Sequence, residues 1–346
     1  MYDVAIIRGD GIGPELCDAT ASVIESSGVS ICWHEAPMGK AASDTLGHAL
    51  PLESLDTVRK YKLAIKAPLI AEKLSGGITV EDEKGSRHYP SVNNAIRREL
   101  FTYANVRPVI GFDCVSGKYK DMNLVIVREV SEGIYKGIEK EVDANTGHTI
   151  KVTTREGSNR IGKFAFELAQ KMGRKKVTAC HKANVLHKTD GLFLKCLREL
   201  APQYSDITFD DLMIDAACYH VIKTPGIFDV AVLPNQYGDI FSDVTAGLIG
   251  SMGLAPGANI GDEYSFFEAS HGAAPDIAGK GIVNPISLIL SGAMLLEHIG
   301  EKEASDRIKN AVKTTLLETQ FHTPDLGGKA TTKEITEAIC QNVQNE

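Results

Sequence analysis

An α/β fold is predicted by three features of this chain. Apolar runs of strand length alternate with stretches of helical periodicity, glycine- or proline-bearing turns separate them, and charged residues recur where the runs end. At 346 residues the chain is long enough for two sub-domains and a large core, and 43% hydrophobic with 24% charged residues excludes a disordered polymer. A net charge of −8 with no lysine- or arginine-rich run argues against nucleic acid as the main partner. The seven cysteines (Cys17, Cys32, Cys114, Cys180, Cys196, Cys218, Cys340) are odd in number and lack Cys-x-x-Cys spacing. That fits reduced thiols and indicates neither zinc nor a disulfide frame. The run from Tyr2 to Ile7 is too short for a signal, and no run approaches ~20 apolar residues. A soluble cytoplasmic protein without membrane association is expected, or a mitochondrial matrix protein if a transit peptide has been removed.

Tyr2 to Ile7 reads as a strand, followed by a glycine-rich turn and a helix with Pro14 in its first turn. Gly9, Gly11 and Gly13 lack the G-x-G-x-x-G spacing of a dinucleotide fingerprint, and no lysine follows as in a P-loop. What remains is a tight loop, either a simple turn or a place where bare backbone approaches a ligand. Leu52 to Tyr61 is helical, and the strand Leu63 to Lys66 delivers Lys66 to its end, where open α/β sheets face ligands. The polar stretch Ser75 to Pro90 is expected as an exposed loop, and Ser91 as the cap of a helix carrying Asn93 or Asn94 and Arg97. The strand Asn123 to Val127 delivers Arg128 and Glu129, with Tyr135 just beyond. Alternation from Gly133 to Thr154 around a turn at Ala144 to Gly147 predicts a hairpin arm. A helix from Arg160 to Met172 leads to the strand Lys176 to Cys180 and then to Lys182. A helix from about Asp211 to Lys223 carries Asp215 and Tyr219. Past Gly250 the chain reads as loop, around Phe266 to Glu268 as a strand end, and from Pro285 onward as amphipathic helices, the first reaching Ile299.

The stretch Asn235 to Gly247 follows an apolar strand, Phe228 to Leu233. A helix starting after Gly238 sets Asp239 and Asp243 one turn apart on one face. Carboxylates about 4 to 8 Å apart at an effective dielectric near 20 repel by roughly 2 to 4 kcal/mol, which a cation between them would offset. Oxygen-only ligands suit Mg²⁺ or Mn²⁺. On spacing alone, a helix cap at Asp239 and a solvated Asp243 account for the same residues.

Taken together, Gly9-Asp-Gly-Ile-Gly-Pro-Glu15, Ala104-Asn-Val-Arg-Pro108, Asn235-x-x-Gly-Asp239-x-x-Ser-Asp243 and Glu268-x-x-His-Gly-x-Ala-Pro-Asp276-Ile-Ala-Gly279 resemble the isocitrate/3-isopropylmalate dehydrogenase family. These are metal-dependent β-decarboxylating dehydrogenases, and the motifs keep their order through Asp325-Leu-Gly-Gly328. The resemblance implies a non-Rossmann α/β fold. Both termini (1–102 and 250–346) would form a large domain, segments 103–132 and 155–249 a small one, and 133–154 a clasp arm shared between subunits. A homodimer, or a larger assembly of dimers, is then expected. Asp239 and Asp243 of one subunit would hold Mg²⁺ or Mn²⁺ together with Asp215 of the other, and Lys182 would cross over likewise. Tyr135 and Lys182 are the implied catalytic residues, Ser91, Asn93, Arg97, Arg107 and Arg128 the implied substrate residues. His271, Gly272, Ala274, Asp276, Ile277 and Asn284 are the implied cofactor residues.

Oxidising a 2-hydroxy acid and losing its β-carboxylate explains this set. A divalent metal chelates the hydroxyl and its neighbouring carboxylate, Lys182 with Asp215 helps remove the hydroxyl proton, and Tyr135 returns a proton to the enol carbon. Guanidinium forks clamp carboxylates. Asp276 and Ile277 stand at positions that tend to be basic and aromatic in NADP-using relatives. A carboxylate there accepts from free ribose hydroxyls and repels a 2′-phosphate, so NAD⁺ is expected. Ser91-x-Asn93 suits a third carboxylate, which favours isocitrate over homoisocitrate or 3-isopropylmalate. Two departures from the family pattern stand beside this. Leu69-Ile70-Ala71 lacks the threonine pair many isocitrate enzymes carry, and Ser75 to Pro90 is longer than usual and is expected to move as a lid over Ser91. A non-catalytic regulatory subunit is the alternative of another class, and the presence of Tyr135, Lys182, Asp215, Asp239 and Asp243 argues against it.

Overall fold

In the computed structural model, which describes residues 1–70 and 77–346, a ten-stranded sheet runs through the molecule. The chain opens with β1 (Tyr2–Ile7), α1 (Gly13–Ser26), β2 (Ile31–Glu35), α2 (Lys40–Leu46), α3 (Leu52–Tyr61) and β3 (Leu63–Lys66). A hairpin of β4 (Ile78–Asp82) and β5 (Gly85–Tyr89) precedes α4 (Val92–Glu99), β6 (Ala104–Ile110) and β7 (Asn123–Glu129). A second hairpin, β8 (Glu139–Asp143) and β9 (Thr146–Thr149), is followed by α5 (Arg155–Lys171), β10 (Lys176–His181) and α6 (Asp190–Leu200). Then come β11 (Thr208–Met213), α7 (Ile214–Lys223), β12 (Val230–Leu233) and α8 (Asn235–Leu248). Last are β13 (Pro256–Ile260), β14 (Ser265–Ala269), α9 (Ile286–His298), α10 (Lys302–Leu317) and α11 (Thr332–Asn345). Among the described residues, no helix is long and apolar enough to cross a membrane.

The strand order is β11-β10-β12-β7-β6-β13-β14-β3-β1-β2. Each end of the sheet is parallel, as helical crossovers require, while β7, β6, β13 and β14 pair antiparallel at its centre. The two parallel sets therefore run in opposite directions. One core, holding Ala5, Ile7, Ala64 and Phe266, lies under α3, α4 and the first hairpin. The other carries Val4, Ile6 and Phe267 against α1, α9, α10 and α11 and continues across the rest of the sheet.

Several elements differ from the sequence reading, each for a local reason. The expected loop over Ser75 to Pro90 is the β4–β5 hairpin from residue 78 on, because Val80 and Tyr89 are buried against the core and Gly85 supplies a positive φ of 100° at the turn. Its first residues, with Ala71 of the threonine comparison, lie outside the described residues. The expected loop past Gly250 contains β13, with Pro256 as its first residue, a position where a missing N–H is tolerated. Asp211 belongs to β11, paired with Ala179, so that α7 begins only at Ile214. The α9 helix is not amphipathic: it packs on β13 and β14 and beneath α1 and α10, with nearly every residue buried. Helix α5 starts at Arg155, capped by the Thr154 side chain, which accepts from the Gly157 N–H.

The loop at Gly9 to Gly13 packs chain against chain. Asp10 donates its N–H to the Pro68 carbonyl (2.9 Å) and Ile12 to the Ala273 carbonyl (3.0 Å). A Cβ on Gly11 would collide with that Ala273 oxygen, and Gly11 has a φ of 58°. Between them the buried Asp10 carboxylate accepts from the N–H groups of Lys40 (2.9 Å), Ala41 (2.8 Å) and Ile70 (2.7 Å), tying α2 to the end of β3.

Candidate active site

Strand register builds the centre of the site. Lys66 stands opposite Glu268, Asn259 opposite Asn105, and Asn105 opposite Arg128. Residues directly opposite share a face, and so do residues two apart, so Arg107 and Phe266 join the same side. A polar band of Lys66, Glu268, Asn259, Asn105, Arg107 and Arg128 thus crosses five strands of an otherwise apolar sheet. Helices α4 and α8 add Arg97 and Asp239 to it.

Arg128, 2% exposed, donates to the Asn235 Oδ1 through Nε (3.1 Å) and Nη2 (2.8 Å) and to the Asp239 Oδ1 through Nη1. The second oxygen of Asp239 accepts from the Tyr135 hydroxyl at 2.6 Å, and the Arg128 guanidinium lies 5.3 Å from the Tyr135 ring centre. Helix α8 comes this close because residue 238 is glycine: a Cβ there would strike the Arg128 side chain. The helix begins at Asn235, one turn ahead of the expected start, with Pro234 as its cap in extended backbone. Arg107 donates to Asn105 (2.8 Å), to the Ser242 hydroxyl (2.6 Å) and, at 3.4 Å, to Asp243.

These contacts separate the two carboxylates chemically. Burial pushes Asp239 up, but Arg128 and the Tyr135 hydroxyl outweigh it and hold the group below the ordinary carboxylate value. Burial also pushes Asp243 up, and there Arg107 lowers it without reversing the shift, while Asp239 adds repulsion, so Asp243 stays raised. Burial and the adjoining Asp239 raise the Tyr135 hydroxyl to about 12. Burial, together with repulsion from Arg97, lowers Arg128 to about 10.

Beside this centre, α4 is capped by Ser91, whose hydroxyl accepts from the Asn94 N–H at 3.2 Å. The Asn94 amide donates to the Tyr135 carbonyl (2.9 Å), while the Oδ1 atoms of Asn93 and Asn94 are buried without a partner. Arg97 donates to Glu268 (3.0 Å) and Asn259 (3.1 Å), and Glu268 also accepts from Lys66 (2.6 Å). In the loop after β14, the Nε2 of His271 is buried and unpartnered, and burial lowers its imidazole. Ala274 adopts a φ of 36°, Gly272 and Asp276 are exposed, and Ile277 is half-buried. Asn284 is engaged at both ends of its amide, by Asp325 (3.1 Å) and the Ile286 N–H (3.0 Å).

Residues 3–339 match the family model for isocitrate/isopropylmalate dehydrogenase. The chain belongs to the isocitrate/isopropylmalate dehydrogenase family. It is 43% identical over 339 residues to NAD isocitrate dehydrogenase catalytic subunit 5, mitochondrial, of Arabidopsis thaliana, covering 98% of this chain and 87% of that protein. It is also 43% identical over 350 residues to the 3-isopropylmalate/3-methylmalate dehydrogenase of Methanocaldococcus jannaschii, covering 100% of both. The crystal structure of isocitrate dehydrogenase from Methylococcus capsulatus matches with a TM-score of 0.93 at 44% identity, covering 99% of this chain and 100% of that one. The family is one of β-decarboxylating dehydrogenases, and its fold is the mixed α/β architecture described above. Relatives of both substrate types stand at equal identity, so overall likeness does not choose between them.

Within this family chain, Tyr135, Arg128, Arg107, Asp239 and Asp243 come together, with Arg97, Asn93 and Ser91 on the adjoining helix. Lys182 and Asp215 form a pair of their own at 2.5 Å, with Asp215 largely exposed. Among the described residues of one chain, Asp215, Asp239 and Asp243 do not form a three-ligand cluster. The donor chemistry nonetheless fits a hard divalent ion: two carboxylates on one helix face, one of them held above its ordinary value by burial despite Arg107 at 3.4 Å. The orphaned His271 Nε2 likewise offers a hydrogen-bonding position that the chain does not fill. Sequence reasoning assigned no role to Asn105, Asn235, Asn259 or Ser242, which orient the arginines, nor to Glu268, and took Lys66 only as far as a ligand-facing strand end. For Asn105, Asn259, Lys66 and Glu268 the signal was present as polar side chains in otherwise apolar strands, while Asn235 and Ser242 sit on α8 in the same stretch as the acidic pair.

Proposed function

We propose that this chain converts isocitrate to 2-oxoglutarate and CO₂, using NAD⁺ and Mg²⁺ or Mn²⁺, with two copies completing each site. The observation that carries the substrate is the buried, unpartnered amide end of Asn93 beside Ser91. A branched alkyl group would leave it unsatisfied at a cost of about 1 to 3 kcal/mol, whereas a third carboxylate accepts its hydrogen bond once the amide is turned to present its N–H. Arg97, Arg107 and Arg128 orient the substrate carboxylates. Asp239 and Asp243 would hold the divalent ion, with Asp215 contributed by a second copy. When bound, the ion offsets negative charge developing at the 2-hydroxyl oxygen and NAD⁺ accepts the hydride.

Proton movement belongs to the chain's own side chains. Tyr135 keeps its proton across the neutral range because burial and Asp239 raise it to about 12, which suits a donor to the enol carbon. Lys182 with Asp215 would help remove the hydroxyl proton, and the absence of any hydrogen bond or ion pair from this pair to Tyr135, Asp239 or Asp243 among the described residues supports a contribution across a dimer. Glycine and alanine in the His271 to Ala274 loop allow a cofactor to approach the backbone closely, and exposed Asp276 favours free ribose hydroxyls over a 2′-phosphate. Asn284 would reach the adenine only by giving up a present contact. The reduced thiols fit cytoplasm or mitochondrial matrix, and the Arabidopsis relative is mitochondrial by name.

A second reading, 3-isopropylmalate, is favoured by the apolar Leu69-Ile70 where a threonine pair was expected, since Ile70 and Ser91 line one cleft. Following NADH formation with isocitrate, homoisocitrate and 3-isopropylmalate decides among them. Isocitrate should give the highest kcat/KM, and a preference for either competitor overturns the proposal. A purified chain inactive on all three would support a regulatory subunit instead.

A further inference from the structure

We infer that Asp3, Cys32 and His34 form a zinc site at the edge of the sheet, outside the residues assigned to the dehydrogenase reaction. Strands β1 and β2 are parallel neighbours in which Asp3 stands opposite Cys32, and Ala5 opposite His34. Cys32 and His34, two apart on β2, share a face of the sheet, and Asp3 joins them on that face from the next strand. Ligand atoms of all three lie within 4.8 Å of one another. Tetrahedral zinc, with bonds of about 2.0 to 2.3 Å, needs its ligand atoms roughly 3.3 to 3.8 Å apart, so side-chain rotations on the order of 1 Å close the site.

Two contacts set the imidazole in position beforehand. The His34 ring stacks on Tyr61 with centres 3.8 Å apart and planes 15° apart, and its Nε2 lies 2.7 Å from the Asp3 Oδ1. A bound cation replaces the proton between those two atoms, and the thiol proton of Cys32 leaves to solvent as the metal–sulfur bond forms. One thiolate, one imidazole and one carboxylate make a donor set suited to zinc, whereas Mg²⁺ and Mn²⁺ favour all-oxygen sites. Asp3 is exposed and the other two are half-buried, leaving a fourth position open to water. Cysteine spacing gives no hint of it because the ligands come from two strands.

The full-length protein, held in excess Mg²⁺ to fill oxygen-only sites, is titrated with Co²⁺ and then with Zn²⁺. The expected result is a saturable near-ultraviolet thiolate-to-cobalt charge-transfer band, displaced by Zn²⁺, abolished in Cys32→Ser and retained in Cys114→Ser. Asp3→Asn and His34→Asn should weaken binding at least tenfold while dehydrogenase turnover stays unchanged. A band that survives Cys32→Ser, an affinity unaltered by Asp3→Asn, or no saturable band in the unsubstituted protein overturns the site.

Discussion

Glu268→Gln removes the carboxylate that faces Lys66 at 2.6 Å and Arg97 at 3.0 Å in the middle of the sheet. The Lys66 side chain is 3% exposed, so a neutral amide strands its charge in a site water does not reach. Removing one partner of a buried pair costs about 3 to 5 kcal/mol. With an unfolding entropy near 2.1 cal/mol/K per residue, a chain of 346 residues changes by ~0.7 kcal/mol per degree, which converts the cost to a fall in Tm of roughly 4 to 7 °C. Scanning calorimetry of the variant measures it. The double variant Lys66→Met/Glu268→Gln removes the stranded charge and should recover much of the loss. Burial acts to raise Glu268, but Lys66 and Arg97 outweigh it and hold the carboxyl well below the ordinary range. Its contribution is therefore fully present above the unfolded carboxylate value of about 4.3 and is lost as pH falls toward the folded value. The difference between wild type and Glu268→Gln should be constant near neutrality and shrink in acid. A single variant within about 1 °C of wild type, or a double variant no better than the single, refutes the stranded-charge account.

Tyr135→Phe should lower kcat by about 10² to 10⁴ with a much smaller change in KM, as expected for a proton donor; steady-state kinetics read the split. Asp243, held up chiefly by burial, binds metal only when ionised, so the Mg²⁺ requirement should rise as pH falls through its raised value. Asp243→Asn should raise that requirement at every pH and flatten the dependence, and an unaltered Mg²⁺ titration would remove Asp243 from the metal site. Asn93→Leu should cut kcat/KM for isocitrate by roughly 10- to 100-fold and improve the ratio for 3-isopropylmalate, and an unchanged ratio would separate Asn93 from substrate choice.

What was legible in the sequence was local. Capping by Ser91, the hairpin at Ala144 to Gly147, and the delivery of Arg128 to the end of β7 follow from propensities and spacing over a few residues. The acidic pair of Asn235 to Gly247 was legible too, though Gly238 was taken for a helix start. The glycine instead marks where α8 crosses Arg128, a tertiary requirement that leaves no local trace. The polar band could not be read, because aligning Asn259 with Asn105 and Glu268 with Lys66 depends on register between strands distant in the chain. For α9, helical periodicity was right and its environment wrong: its burial on all sides depends on what packs around it.

Lys66 and Glu268 are 202 residues apart, and β3 lies between β1, its near neighbour in the chain, and β14, a distant one. A strand placed beside β3 without a carboxylate at this height would have to dehydrate a lone ammonium, at a cost of several kcal/mol. The pair thus fixes register: sliding β14 by one residue would set Phe267 or Ala269 level with Lys66 and leave a buried ammonium without its carboxylate.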